Sequence, residues 1–395
     1  MKGLTKDQYL KIHDMCKHSN SLYNSGMYII KNYFDETNKY MGYNGLYKEI
    51  KDNVHYKSIP AKIAQQTLRL LDKDFRSFFA LLKRKKSGQY QSDVHIPRYK
   101  KSKSEFILIL PNDQVTLNNS VLKITKDVKL KFTHKIDGKI KQLVIKPNGF
   151  KSYTMLIQYE QTKNKHKENV NTKNFLSIDL GINNLATCIS NVGPAFIVSG
   201  KPVKARNQFY NKRKAEVQES LERCNKTKWS KQLSKMSWNR TNFINSYFDQ
   251  SIAYIMKYCK EHNIGTVVVG YNEGWKQEIN IGKVNNQKFC SIPHNRFKMK
   301  LEYKCEDNSI DFIQHEESYT SKCSFVDAEP LKKQESYLGR RKKRGLFVSS
   351  KGVKINSDVN GACNIARKVF PEFCYEGVEA FIVSPKVFNT VKPFK

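Results

Sequence analysis

The sequence predicts a multidomain α+β protein, with an N-terminal helical segment, a small antiparallel β domain and a larger α/β domain. Three observations carry this prediction. Apolar residues recur at helical spacing from residue 5 to about 90, the period changes to two between about 91 and 165, and from Asn174 onward short apolar strands alternate with helical stretches. At 395 residues the chain also exceeds what one hydrophobic core usually organises. The boundaries fall at 1–90, 91–170 and 171–395.

The helical segment opens with Thr5 and Gln8 at capping-box spacing and continues with Ile12, Cys16, Tyr23, Met27, Ile30 and Phe34 on one face. A second helix starts near Ser58 and Pro60. Its stripe is Ala64, Leu68, Leu71, Phe75, Phe78 and Leu82, and it ends in Lys83–Lys86, where cations suit a helix C-terminus. In the β domain, Val128, Leu130 and Phe132 alternate with Lys129 and Lys131 ahead of the hairpin signal Asp137-Gly138. In the third segment, FLSIDLGINNLATCIS reads as two strands about a glycine turn. A long helical stretch follows, with Lys204, Arg206, Lys212, Arg213 and Lys214 before the core stripe Ile244, Phe248, Ile252, Ile255 and Cys259. The apolar strand Thr266–Gly270 and a helix after Asp358 complete the α/β pattern.

Seventy Lys plus Arg against thirty-six Asp plus Glu give a formal net charge of +34. Such an excess, interleaved with Tyr and Phe, points to a polyanionic partner whose phosphates the cations neutralise and whose bases the rings can stack on. No stretch of about 18 apolar residues occurs, and the N-terminal residues carry charges where a signal peptide needs its apolar run, so a membrane or secreted protein is not expected. The nine cysteines form no C-x-x-C pair, which fits reduced thiols in a cytoplasmic protein and not a disulfide framework.

Three carboxylates stand out by position. Asp179 interrupts the apolar strand Phe175–Ile182, where a charge is costly unless it faces an open site. Glu273 follows the strand TVVVG at its carboxyl end, the usual place of an α/β active site, with Glu278 as a rival behind the same strand. Asp358 opens a helix whose apolar face is Ala362, Ile365, Ala366 and Val369, and it could serve simply as the N-cap. Together, Asp179, Glu273 and Asp358 read as oxygen ligands for Mg2+ or Mn2+, the donor set of phosphodiester hydrolysis by paired metal ions.

At these residues the chain resembles the TnpB family of insertion-sequence proteins, relatives of the type V CRISPR effector nucleases. The matching segments are SIDLGINNLAT (177–187), VVVGYNEGWK (267–276), IPHNRFKMKLEYKCED (292–307), HEESYTSKCSF (315–325) and INSDVNGACNIARKV (355–369). Similarity continues upstream through IPRYKKSK (96–103) and the helix around Gln65 and Gln66. The resemblance implies an RNase H-like (RuvC) nuclease domain, a helical recognition segment set into a β-barrel wedge domain, and Asp179, Glu273 and Asp358 as the acidic triad. It further implies a guide RNA transcribed from the element and double-stranded DNA as the target. Within the same resemblance lie two alternatives, a nuclease-dead RNA-guided repressor and a transposase acting in strand transfer.

Two departures from the family pattern are visible. Relatives often carry paired C-x-x-C motifs in the insert, here about 316–354, whereas this chain offers Cys323 and then the basic run Arg340–Arg344. One thiol cannot supply the four ligands of a structural zinc, so no zinc is expected. Packing by Tyr319, Phe325, Tyr337, Leu338, Leu346 and Phe347 should hold the insert instead, with the basic run facing nucleic acid. Helix signals beginning at Thr5 also leave little room for the family's opening strand.

Overall fold

The computed structural model describes residues 4–132, 136, 138–150, 152–160, 173–225, 227–271, 292–343 and 345–389. The chain divides into two compact units, residues 1–164 and 165–395.

In the first unit, α1 (Lys6–Thr37), α2 (Tyr43–Ile50), α3 (Val54–Lys57) and α4 (Ala61–Lys86) precede the strands. Thr5 and Gln8 close the capping box of α1 reciprocally, as their spacing predicts. The stripes Ile12, Cys16, Tyr23, Met27 and Ile30 of α1 and Ala64, Leu68, Leu71 and Phe75 of α4 are buried against each other. Gly26 makes the approach possible, since a Cβ there would stand 2.8 Å from the Leu71 side chain. The β residues form two three-stranded antiparallel sheets. One has the order β1 (Leu108–Pro111), β5 (Lys139–Pro147), β6 (Tyr153–Glu160), and the other β2 (Thr116–Asn118), β3 (Val121–Lys123), β4 (Lys129–Lys131). Val128 and Leu130 are buried while Lys129 and Lys131 are exposed, the alternation of a half-buried strand. Helices and strands of this unit share one hydrophobic core. Asp137 of the expected hairpin turn lies outside the described residues.

The second unit is built on a six-stranded mixed sheet in the order β11-β10-β7-β8-β9-β15. Its strands are β7 (Phe175–Leu180), β8 (Asn184–Ser190), β9 (Phe196–Ser199), β10 (Thr266–Tyr271), β11 (Asp311–Glu316) and β15 (Lys386–Phe388). β7, β10 and β11 run parallel, whereas β8 is antiparallel to both β7 and β9. A central strand flanked by an antiparallel meander on one side and parallel strands on the other is consistent with a RuvC-type nuclease sheet. The strand β10 has no alternation, being buried from Thr266 to Gly270, as expected for a parallel strand covered on both faces.

On one face lie α6 (Lys231–Glu261) and α7 (His294–Asp307), whose Phe248, Ile252, Ile255, Phe297 and Leu301 join Ile178, Val267 and Val269 in a common core. On the other face α8 (Ser357–Val369) packs on β7, β8 and β10 through Val359, Ala362, Cys363 and Ala366. Small residues let this helix sit close to the sheet, and the Ser177 hydroxyl in β7 donates to the Ala362 carbonyl at 2.8 Å. α5 (Lys201–Asn225) precedes α6 and carries the basic stretch. Between β11 and α8 the insert forms a small antiparallel sheet of β12 (Arg340–Lys343), β13 (Leu346–Val348) and β14 (Lys354–Ile355). A short helix, α9 (Glu379–Ile382), precedes β15. No helix among the described residues is long and apolar enough to cross a membrane, and the described cysteines are free thiols.

Candidate active site

The carboxyl ends of β7, β10 and β11 lie side by side, because Val269 is in register with Ile178 and Tyr271 with Glu316. Asp179 is therefore flanked by Gly270, and the residue after β11, Glu317, comes to the same edge. Its amide donates to the Tyr271 carbonyl at 3.2 Å. The Glu317 carboxylate fills the space a side chain at Gly270 would need, as any Cβ there would collide with Glu317 and with Ile365 of α8. Gly361, in the second turn of α8, plays the same part for Asp179. A Cβ at Gly361 would lie 2.9 Å from Asp179 Oδ2.

Asp358 reaches this edge from the first turn of α8. Asn356, not Asp358, is the N-cap, its side-chain oxygen accepting from the Asp358 amide at 2.8 Å. The capping role open to Asp358 in the sequence is thus taken two residues earlier, and the Asp358 carboxylate is left to accept from Asn184 Nδ2 at 2.7 Å. Burial, then the neighbouring Glu317 and Asp358 carboxylates, raise Asp179 well above the ordinary carboxylate range, while Arg341 of the insert pulls the other way. Burial and Glu316 likewise raise Glu317, against Lys298 and Lys368. Lys298 is itself nearly buried, donating to Gln314 Oε1 at 3.0 Å and lying 4.2 Å from the centre of the Tyr271 ring.

The sequence-predicted residues thus divide. Asp179 and Asp358 come together, whereas Glu273 and its rival Glu278 lie outside the described residues. Glu317 was missed by sequence reasoning. A usable signal was present, because GYNEGWK holds a glycine at the strand end and HEESYTSK holds paired glutamates at the end of the neighbouring parallel strand. Among the described residues no three acidic, histidine or cysteine side chains are gathered tightly enough to hold an ion as they stand. The donor chemistry nevertheless suits a hard divalent cation, since the groups at this edge are carboxylates whose mutual repulsion a cation would relieve.

Known proteins share sequence segments and fold with this chain. Residues 156–276 match the family model OrfB_IS605, described as a probable transposase, and residues 294–365 match the TNB domain of Cas12f1-like proteins. Over these residues the chain is similar to the TnpB/OrfB_IS605 family and to Cas12f1-like proteins. The TnpB-like protein ORF457 of Acidianus two-tailed virus is 25% identical over 398 residues, covering 91% of this chain and 84% of the viral protein. In fold the chain is similar to the protein in the cryo-EM structure of the Cas12f1-sgRNA-target DNA complex, with a TM-score of 0.52 at 13% identity, over 92% of this chain and 83% of that one.

The region similar to the TNB domain is tied to α8 by buried amides. Asn364 Nδ2 donates to the carbonyls of Thr320 and Cys323 at 2.9 and 2.7 Å, and Asn360 exchanges bonds with Cys323 and Phe325. Lys368 adds an ion pair with Glu316 at 2.9 Å. These contacts fix the segment just after Glu317 on the helix that carries Asp358. Within the insert the Glu329 carboxylate is buried and accepts from the amides of Ser324 and Leu338 at 2.7 and 2.9 Å. Asp327 clips the Ser349–Val353 turn by accepting from the amide and hydroxyl of Ser350 at 2.9 and 2.6 Å. Of the apolar residues expected to hold the insert, Phe325 and Phe347 are buried. Tyr319 and Leu338 are exposed, a correction to the packing expected from sequence: backbone bonds to the Tyr319 carbonyl close one turn, and the Leu338 amide is held by the Glu329 carboxylate, so neither ring nor side chain is needed as a packing contact. Of the basic run, Arg340–Lys343 forms the exposed strand β12, from which Arg341 brings charge toward Asp179.

Proposed function

We propose that this protein is a metal-dependent, RNA-guided DNA endonuclease in which Asp179, Asp358 and Glu317 are the acidic residues of a RuvC-type site. The observation that supports the reading is Asp179 at the carboxyl edge of parallel strands, with Glu317 and Asp358 near enough to act on its charge, in a chain of net charge +34. Glu273 remains the alternative third ligand, as the family pattern implies. Mg2+ or Mn2+ held there would supply an activated water and charge stabilisation for the leaving oxygen.

The chain's own residues have separate tasks. Asn184 orients Asp358, Gly361 leaves room for the Asp179 carboxylate beside α8, and the Asn364 and Lys368 contacts fix the loop that carries Glu317. Arg341 adds a cation at the same edge, suited to a phosphodiester oxygen. Guide RNA and target DNA are the proposed partners, supported by the charge and by the likeness to a protein solved with sgRNA and target DNA. The barrel-like wedge belongs to the same proposal, with the two small sheets of the first unit as its elements.

The test is cleavage of a DNA library by protein co-expressed with the noncoding DNA flanking its gene. Asp179→Ala should abolish Mg2+-dependent cleavage and retain RNA-dependent DNA binding, because a metal ligand acts on chemistry and phosphate contacts act on affinity. Undiminished cleavage by Asp179→Ala, or binding of DNA by wild type without any cleavage, would refute the nuclease reading.

A further inference from the structure

A second site lies in the first unit, outside the nuclease edge. Where the start of α2 meets the middle of α4 there is a cavity of about 600 Å3, lined by Tyr43, Asn44, Arg69, Asp72, Lys73 and Arg76. The three cations are at spacing i, i+4 and i+7 on α4, so they share one face of the helix. With Asp72 as the only carboxylate of the lining, three cations less one anion leave two positive charges in excess.

The site is built and not only charged. Asp72 is nearly buried, and its carboxylate accepts from the Tyr40 hydroxyl at 2.8 Å, the Tyr43 amide at 3.1 Å and Arg76 Nε at 2.7 Å. These bonds fix the start of α2 against α4 and hold Arg76 by its inner nitrogen, leaving the two outer nitrogens of an exposed guanidinium to bind an anion. The Arg69 guanidinium lies 4.4 Å from the centre of the Tyr43 ring, and Tyr47 stacks behind Tyr43 with centroids 6.2 Å apart. The rings hold the guanidinium against one wall, where its outer face forms a flat cationic platform.

We propose that this cavity binds one unpaired nucleotide of a single nucleic-acid strand, with the base stacked on Arg69 and the phosphodiester held by Lys73 and Arg76. A plane backed by aromatics selects an exposed base face, which a duplex buries between its own pairs. Adjacent cations then supply the phosphate contacts that bring salt dependence. The inference deepens the reading of the chain as a nucleic-acid enzyme and rests on it only for the class of partner.

The discriminating variant is Arg69→Lys, which retains the charge and removes the plane. Binding of the full-length protein to fluorescein-labelled 15-nucleotide oligo-uridine, oligo-thymidine and a 15-base-pair duplex is followed by anisotropy across a salt series. Arg69→Lys should weaken single-strand binding about 10-fold with an unchanged salt slope, and should leave duplex binding as in wild type. Lys73→Gln should lower the single-strand slope by about 0.7, the share of one phosphate. A loss with RNA alone, or with both strands, supports the proposal and names the source. Because other cationic surfaces also bind, 4-thiouridine cross-linking provides a second readout. The cross-linked peptide should contain residues 69–76 and should disappear in Arg69→Lys. Wild-type single-strand affinity in Arg69→Lys, or an equal loss on duplex, would overturn the site. Neither result depends on cleavage, so the pocket and the nuclease reading fail separately.

Discussion

Replacing Glu317 separates the carboxylate that the fold brings to Asp179 from the one that strand order alone suggests. Loss of a residue that merely supports a metal ligand commonly costs 10- to 100-fold, so loss of a ligand should exceed about 100-fold in cleavage rate, or roughly 2.7 kcal/mol. Glu317→Ala should show at least this loss in single-turnover DNA cleavage with saturating Mg2+, with RNA-dependent DNA binding retained. The structure also offers a rescue. Gly270 lies one strand away with its Cβ direction aimed at the Glu317 carboxylate, so Gly270→Glu can deliver a carboxylate to the same space once Glu317 is truncated. The second obstacle at Gly270 is the Cδ1 methyl of Ile365, 2.6 Å from the Cβ position. Ile365→Val removes it at a cost of about 1 kcal/mol. The triple variant Gly270→Glu/Glu317→Ala/Ile365→Val should therefore cleave faster than Glu317→Ala with Ile365→Val alone. In the wild-type background Gly270→Glu should fail, since both carboxylates would compete for one space. Full activity in Glu317→Ala together with loss of activity in Glu273→Ala would refute this assignment and return the role to the strand-end glutamate.

Three further perturbations test the surroundings. Gly361→Ala adds a methyl 2.9 Å from Asp179 Oδ2 in a helix interior, where alanine ordinarily stabilises by up to about 1 kcal/mol, so cleavage should fall while the melting temperature holds or rises. A parallel fall in both would place the strain in the fold instead. Burial, with Glu317 and Asp358, raises Asp179, so the metal-free folded protein keeps a proton that the unfolded chain releases above about pH 4. Its stability should fall as pH rises from there through the folded-state value, and Asp179→Asn should flatten melting curves recorded in EDTA. A metal-free stability that instead climbs through this window would contradict the crowding of carboxylates. Glu329→Ala leaves the buried amides of Ser324 and Leu338 without their acceptor and should cost about 3 kcal/mol, while a zinc-selective chelator should leave wild-type melting unchanged. One zinc per chain in purified protein would overturn that account of the insert.

The sequence was most legible where one period repeats over many residues. The α1 stripe, its capping box and the strand pair around Gly181 all follow from spacing, because local geometry alone decides which side of an element is buried. Asp179 was legible for a related reason, as a charge inside an apolar strand is costly wherever the chain folds. The proposed role of Glu317 was not, and the reason is geometrical. Sequence distance to a strand end points to Glu273, whereas Glu317 reaches the edge of the parallel sheet only across strands. Glu317 stands forty-six residues after Tyr271 in the chain yet one strand away in space, joined by the hydrogen bond from the Glu317 amide to the Tyr271 carbonyl. The vacancy it fills is written only as a glycine, and a glycine at a strand end reads equally well as a turn or a bulge until the neighbouring strand is known. Asp358 shows the converse case. Its position in the first turn of a helix left capping open beside the site role read from the sequence, and the three-dimensional partners, Asn356 as the N-cap and Asn184 across from it, free its carboxylate for the edge where Asp179 lies.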